Sequence, residues 1–238
     1  MRGRSGMIVG AVVAVFALAS CATGTDSIDS LDGEWMTATP GEWEDPPAPP
    51  IGDCPWASDE RPVATLQPDL DPAAATTATA LESDRFWGLI ESIPSAPTAD
   101  DFTEAASQLA GCPLADIIAF ESRLVLSLWT LDGPENATWF EQNDPLGLGF
   151  ASDDTLLYAR CATVLGGRDA WQRAVDEQTL EWGDDAPDLD GAGEYLLYLP
   201  WDAALAQGLT SEEFYDLRET AIAISAETGG NAQRWGLG

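Results

Sequence analysis

Carboxylates are the most abundant groups that could do chemistry in this chain of 238 residues, which has 41 Asp and Glu. Their sharpest cluster is Ser152-Asp153-Asp154. Ser152 can cap a helix, and two Asp favour the positive end of its dipole. Alternatively, Asp144, Asp153 and Asp154 could offer oxygen ligands to Ca²⁺, although their spacing is not that of an EF-hand. We predict a helix cap, with no metal and no cofactor.

A second group of candidates lies within apolar segments. Glu121 falls in the most apolar run of the chain, residues 114–131. Burial would raise the pKa of such a carboxyl and suit it to act as a general acid on cell-wall glycan. Arg160 also has apolar neighbours and needs a charged partner, for which Glu121, Asp154 and Glu91 are candidates. We interpret Arg160 and Glu121 first as members of structural ion pairs.

The absence of His and Lys narrows the chemistry further. It removes the usual general base of Ser and Cys hydrolases, the lysine of Schiff-base enzymes and of the P-loop, and the commonest zinc ligand. The formal net charge is −31, whereas nucleic-acid binding needs a basic surface. We therefore expect no nucleic-acid partner, and we lean towards a protein that is not an enzyme.

The first 21 residues have the order of a secretory signal. Arg2 and Arg4 precede an apolar run, and Leu18-Ala19-Ser20-Cys21 resembles a bacterial lipobox. Such a signal implies cleavage after residue 20, a lipid on Cys21, and an extracytoplasmic protein anchored to the membrane by that lipid. An ordinary signal peptide with a chance Cys is the alternative.

Three cysteines remain if Cys21 carries lipid, and an oxidising compartment favours disulfides. We predict a Cys54–Cys112 disulfide, because both residues sit beside Pro in turn-like segments, and a buried thiol at Cys161. Residues 21–80 are rich in Pro and acidic residues without apolar periodicity, so we predict a disordered tether. Its Trp residues either dock a partner or pack on the domain near Cys54: Trp35, Trp43 and Trp56.

Helical signals begin at Leu81. Apolar residues recur at helical spacing, and Thr98/Asp101 and Thr210/Glu213 have the spacing of capping boxes. No segment shows the alternation of a strand. We predict an all-α fold, a single orthogonal bundle of seven or eight helices over residues 81–230, followed by a tail over residues 231–238. The Trp residues of this domain are interpreted as core, with an aromatic binding cleft as the alternative: Trp87, Trp129, Trp139, Trp171 and Trp201.

Short motifs in this region resemble domain-of-unknown-function family 4240 over about residues 82–205. That family shows a Phe-Trp-x-Leu-Ile start, a Ser-Asp-Asp followed by an aromatic, a Phe-Arg-x-Trp-Leu run and a Gly-Arg. Departures at Leu156, Ala159 and Ala162 mark a diverged member. The resemblance implies an α-helical fold and no particular activity. The residues that carry it are Phe86, Trp87, Leu89 and Ile90; Ile117, Phe120, Glu121 and Leu124; Ser152–Asp154, Ala159 and Arg160; Gly167 and Arg168; and Glu194 and Leu196–Tyr198.

These observations favour a non-catalytic binding or interaction module in the cell envelope, with the membrane and an envelope protein as expected partners. A carboxylate-dependent hydrolase of wall glycan and a Ca²⁺-dependent binding domain are the alternatives.

Overall fold

The computed structural model describes residues 49–56, 71–143, 152–180 and 189–237. Several predictions concern residues outside these ranges: the signal peptide, Cys21, Trp35, Trp43 and Asp144. The described residues form nine helices and no strand, as the all-α prediction required. The helices are α1 (Pro72–Thr79), α2 (Ser83–Ile90), α3 (Ala99–Ala110), α4 (Leu114–Leu131), α5 (Pro134–Asn143), α6 (Asp153–Leu165), α7 (Gly167–Glu177), α8 (Leu189–Ala206) and α9 (Ser211–Ala221).

Side-chain caps fix where several helices begin. Thr98 and Asp101 form a capping box at α3, and Thr210 and Glu213 form one at α9. In each, the hydroxyl and carboxylate satisfy amide groups that the first turn leaves unpaired. The spacing of these residues in the sequence was therefore enough to place both helix starts.

The core is built around α4, the most deeply buried helix. It packs against α1, α6, α8 and α9, while α8 also packs along α3 and α6. Phe86 and Phe120 lie at its centre with ring centroids 5.1 Å apart. Burial of these large side chains supplies the main driving force for folding.

The predicted tether extends too far towards the domain, because residues 72–79 form α1. Asp71 caps this helix, accepting hydrogen bonds from the amides of Ala73 and Ala74. Thr76 and Thr79 are buried, and the Thr79 hydroxyl donates to the carbonyl of Ala221 over 2.9 Å. The sequence did not predict this helix, because an Ala/Thr run shows no apolar periodicity. The helix is stabilised instead by close packing of small residues and by hydrogen bonds between the buried hydroxyls and the backbone.

Residues 49–56 also belong to the folded part. The amide of Gly52 donates to the carbonyl of Ser107, and Trp56 donates to Asp116 over 3.0 Å. A Cβ on Gly111 would lie 2.2 Å from the carbonyl oxygen of Gly52, so only glycine permits this close approach. Trp56 thus packs on the domain, the second of its two interpretations.

Helix α8 begins at Leu189. A Cβ on Gly193 would lie 2.8 Å from the ring of Tyr158, so glycine permits the close packing of α8 on α6. Helix α9 ends at Ala221. Residues 222–237, the C-terminal segment, then pack back on the domain, and Asn231 is buried.

Candidate functional site

The Ser152-Asp153-Asp154 cluster forms a helix start. Ser152 Oγ accepts a hydrogen bond of 3.1 Å from the amide of Thr155, while Asp153 and Asp154 are exposed in the first turn of α6. Among the described residues, no group of three possible ligands could hold a metal ion. The geometry that the structure shows here is that of a cap.

Arg160 has a different partner from those predicted. Its guanidinium is 2% exposed, and Nη1 lies 3.8 Å from Asp132 Oδ1. Glu121 lies 11 residues before Asp132 in sequence, about 16 Å further along α4, so it is out of reach. Neither Glu121, Asp154 nor Glu91 pairs with Arg160, because Asp132 follows the end of α4 and meets α6 there.

The Arg160–Asp132 pair is almost fully buried, beside a cavity of only about 10 Å³. Arg160 donates to the carbonyls of Leu156 and Leu128 and to the hydroxyl of Thr228. Asp132 accepts from the amides of Gly229 and Asn231 and from the indole of Trp235.

The hydrogen bonds to Asp132 measure 3.2 Å from the Gly229 amide, 2.7 Å from the Asn231 amide and 3.0 Å from the Trp235 indole. Every charged group is therefore satisfied, and the pair clamps the C-terminal segment to α4 and α6.

Glu121 pairs instead with Arg218 of α9. Arg218 Nε donates to Glu121 Oε1 over 2.8 Å, with the two side chains 33% and 8% exposed. Burial raises the pKa of Glu121, and the charge and hydrogen bond of Arg218 oppose that rise. Glu121 Oε2 is buried and has no hydrogen-bond partner. This pair is only half satisfied.

A cavity of about 210 Å³ lies against the Glu121–Arg218 pair. Its walls come from α4, α6, α8, α9 and the C-terminal segment. Trp201 Nε1, from one of these walls, is also buried without a hydrogen-bond partner. Tyr198 and Tyr215 are 46% and 49% exposed. The cavity is lined by four aromatic residues, Tyr198, Trp201, Phe214 and Tyr215, by three charged ones, Glu121, Arg218 and Glu227, and by small or aliphatic side chains between them.

The cavity combines apolar aromatic surface with a few polar groups, as ligand sites do. Glu121 Oε2 can accept a hydrogen bond, and Trp201 Nε1 can donate one. Leaving such buried groups unpaired costs stability. Trp201, interpreted as core with an aromatic cleft as the alternative, belongs to both the core and this cavity.

None of the cysteines that the structure describes lines this cavity. Cys54 and Cys112 form a disulfide that joins residues 49–56 to the end of α3. Cys161 is a free, fully buried thiol whose pKa burial raises to about 12. A thiol with so high a pKa is protonated at neutral pH and is a poor nucleophile.

Sequence reasoning found Glu121 but missed the residues that complete its site. Arg218, Tyr215 and Glu227 are far from Glu121 in sequence, and nothing in their spacing marks them. The one available signal was a charged Arg on α9 four residues after an aromatic pair, Phe214-Tyr215. That pattern is common on exposed helices and indicates no partner.

Residues 81–203 match the family model described as "Protein of unknown function (DUF4240)". The chain belongs to this family. No curated protein and no solved structure matches the chain. The DUF4240 match includes Glu121, Tyr198 and Trp201 but ends before Phe214, so half of the cavity comes from residues that follow it. None of the helices that the structure describes is both long and apolar enough to cross a membrane.

Proposed function

We propose that this DUF4240 protein is a non-catalytic ligand-binding module of the cell envelope, held at the membrane by a lipid on Cys21. The ligand occupies the cavity between α4, α8, α9 and the C-terminal segment. The observation that carries this proposal is the half-satisfied Glu121–Arg218 pair beside an aromatic cavity. A purely structural ion pair would be expected to satisfy both carboxylate oxygens, as Asp132 does.

Size supports a small ligand. A dry cavity of about 150 Å³ is enough to hold benzene. The cavity here is larger, at about 210 Å³, and its rim carries the half-exposed rings of Tyr198 and Tyr215. A ligand of one ring or a short branched chain would bury most of its surface there.

A second candidate is a carboxylate-dependent hydrolase of wall glycan. It is favoured by one observation, that Glu121 and Glu227 line the same cavity. Glycoside hydrolysis uses two such carboxyl groups, one of them with a raised pKa. Against it, Glu121 is held by Arg218, whose charge and hydrogen bond oppose the rise in pKa that a general acid needs.

One experiment tests both candidates. The full chain is incubated with a small-molecule extract of bacterial envelope, and its melting temperature is measured. The bound compound is then recovered and compared in mass with the compound added. Ser225→Trp places a large ring at the exposed edge of the cavity, and Ser95→Trp does the same at an exposed site elsewhere.

We expect a higher melting temperature with extract for the wild type and Ser95→Trp, no change for Ser225→Trp, and a bound compound of unaltered mass. An equal rise in Ser225→Trp, or no rise in any protein, would refute binding at the cavity. A product of altered mass that disappears in Glu121→Gln and Glu227→Gln would establish the hydrolase instead.

A further inference from the structure

The walls of the cavity are unusually aromatic for its size. Tyr198 and Trp201 have ring centroids 6.0 Å apart at an interplanar angle of 54°, and Phe214 and Tyr215 have centroids 5.9 Å apart at 64°. The first pair is tilted and the second is edge-on, so neither is a face-to-face stack. Aromatic faces carry negative electrostatic potential and attract cations.

The charges around the cavity have the same sign as these faces. The two lining carboxylates outnumber the single lining cation, and that cation, Arg218, is already bound to Glu121. Glu227 makes no ion pair with a lining residue, although its charge also acts on Arg160 of α6. Burial raises the pKa of the Tyr198 hydroxyl, and nearby Glu194, Tyr215 and Asp202 raise it further.

The rest of the molecule reinforces this local field. The chain has a net charge of −31, which attracts cations to its surface and repels anions. An anionic ligand would be repelled by this net charge and by Glu227 in the cavity lining. A neutral ligand would gain nothing from the field.

On the basis of the proposed function, we propose that the cavity binds an organic cation, an alkylammonium or quaternary ammonium group. The aromatic rings of Tyr198, Trp201 and Tyr215 enclose its charged head, and Glu227 neutralises it. The recognition is non-covalent and needs no metal.

The test compares a cation with a neutral molecule of the same shape. Choline and tetramethylammonium are titrated into the full chain by calorimetry, followed by 3,3-dimethylbutan-1-ol, in which carbon replaces the charged nitrogen of choline. Tyr198→Ala and Glu227→Gln probe the cavity. Tyr195→Ala is the matched control, because Tyr195 lies on the same helix with 45% exposure but outside the cavity lining.

We expect choline to bind at least tenfold more tightly than 3,3-dimethylbutan-1-ol. Binding should weaken at least fivefold in Tyr198→Ala and Glu227→Gln and stay unchanged in Tyr195→Ala. Equal affinity for the neutral isostere would overturn the cationic class while leaving the proposed binding function intact. If neither cation binds to the folded protein, the proposal of a cationic ligand is also overturned. The envelope-extract experiment would then decide separately whether the cavity binds any ligand.

Discussion

Two arginine–carboxylate pairs in the described part of the chain have buried carboxylates but differ in how completely they are satisfied. In the Arg160–Asp132 pair, backbone carbonyls, amides, a hydroxyl and an indole surround both charges. In the Arg218–Glu121 pair, one hydrogen bond joins the two side chains, one carboxylate oxygen has no partner, and a cavity lies alongside. Both pairs join α4 to parts of the chain far away in sequence.

A buried charge pair is tolerated when further hydrogen bonds compensate its desolvation. Asp132 has these bonds and organises the C-terminal segment around itself. The Oε2 atom of Glu121 lacks them. On the proposed function, the first pair stabilises the fold at one end of α4, and the second marks the ligand site at the middle of this helix.

The largest effect on stability is expected from breaking the Arg160–Asp132 pair. Asp132→Ala leaves Arg160 buried without a counter-charge and releases three donors of the C-terminal segment. We expect a loss of about 3 to 5 kcal/mol in the free energy of unfolding. Urea denaturation of the variant and the wild type measures it. A loss no larger than that of Glu121→Gln at neutral pH would remove the distinction between the two pairs.

The next effect comes from the disulfide, which lies away from both pairs. Replacing Cys54 and Cys112 together by Ser frees residues 49–56 and increases the conformational entropy of the unfolded chain. We expect a loss of about 2 to 4 kcal/mol in the free energy of unfolding. Affinity of the cavity for its ligand should be unchanged, as calorimetry of the still-folded variant would show. A weakened affinity would mean that the site depends on the N-terminal residues.

Two tryptophans allow a matched test of the unpaired indole. Trp171 donates from Nε1 to the carbonyl of Ser127 over 3.0 Å, whereas Trp201 Nε1 has no partner, and both are partly buried against the core. Trp171→Phe should lower the free energy of unfolding by about 1 to 2 kcal/mol. Trp201→Phe, which removes a group with no bond to lose, should change it by less than about 1 kcal/mol. Equal losses in urea denaturation would argue that the Trp201 indole is satisfied in solution.

The smallest expected effect is the pH dependence of folding stability that arises from Glu121 in the Glu121–Arg218 pair. Burial raises the pKa of Glu121 above 4.5, so folding favours its protonated form. This contribution is complete below the unfolded pKa and is lost as pH rises through the folded pKa. Glu121→Gln lacks this titration. The stability of the wild type relative to Glu121→Gln should therefore fall as the pH rises from the unfolded pKa of Glu121 through its higher folded pKa. A relative stability that rises with pH would show that Arg218 outweighs burial.

Much of the helical architecture was predictable, because local chemistry fixes helix ends. The Thr98/Asp101 and Thr210/Glu213 capping boxes and the cap at Ser152 act within one turn, so the sequence contains the whole signal. Helix α1 was missed because its stability comes from contacts rather than composition. Thr76 and Thr79 bond to residues about 140 positions away, and no local pattern reports such a partner.

The site was predictable only in part for the same reason. A carboxylate in the most apolar helix drew attention to Glu121 from sequence alone. Its partner, Arg218, is 97 residues further on and adjoins no recognisable motif. The partner of Arg160 was predicted wrongly, because Asp132 looked like a residue of the turn that ends α4. Tertiary packing decides which charges meet, and the sequence shows only which charges need a partner.

The most direct measurement follows the indole N–H resonances of the ¹⁵N-labelled full chain during titration with choline. Trp201 lines the same cavity as the Glu121–Arg218 pair, and Trp235 donates to Asp132 of the Arg160–Asp132 pair, so each indole reports on one pair. Trp201→Phe and Trp235→Phe assign the two signals. We expect the Trp201 resonance to shift to saturation while that of Trp235 stays in place. A Trp201 resonance that does not move, or a Trp235 resonance that moves equally, would contradict the assignment of binding to the cavity beside the Glu121–Arg218 pair.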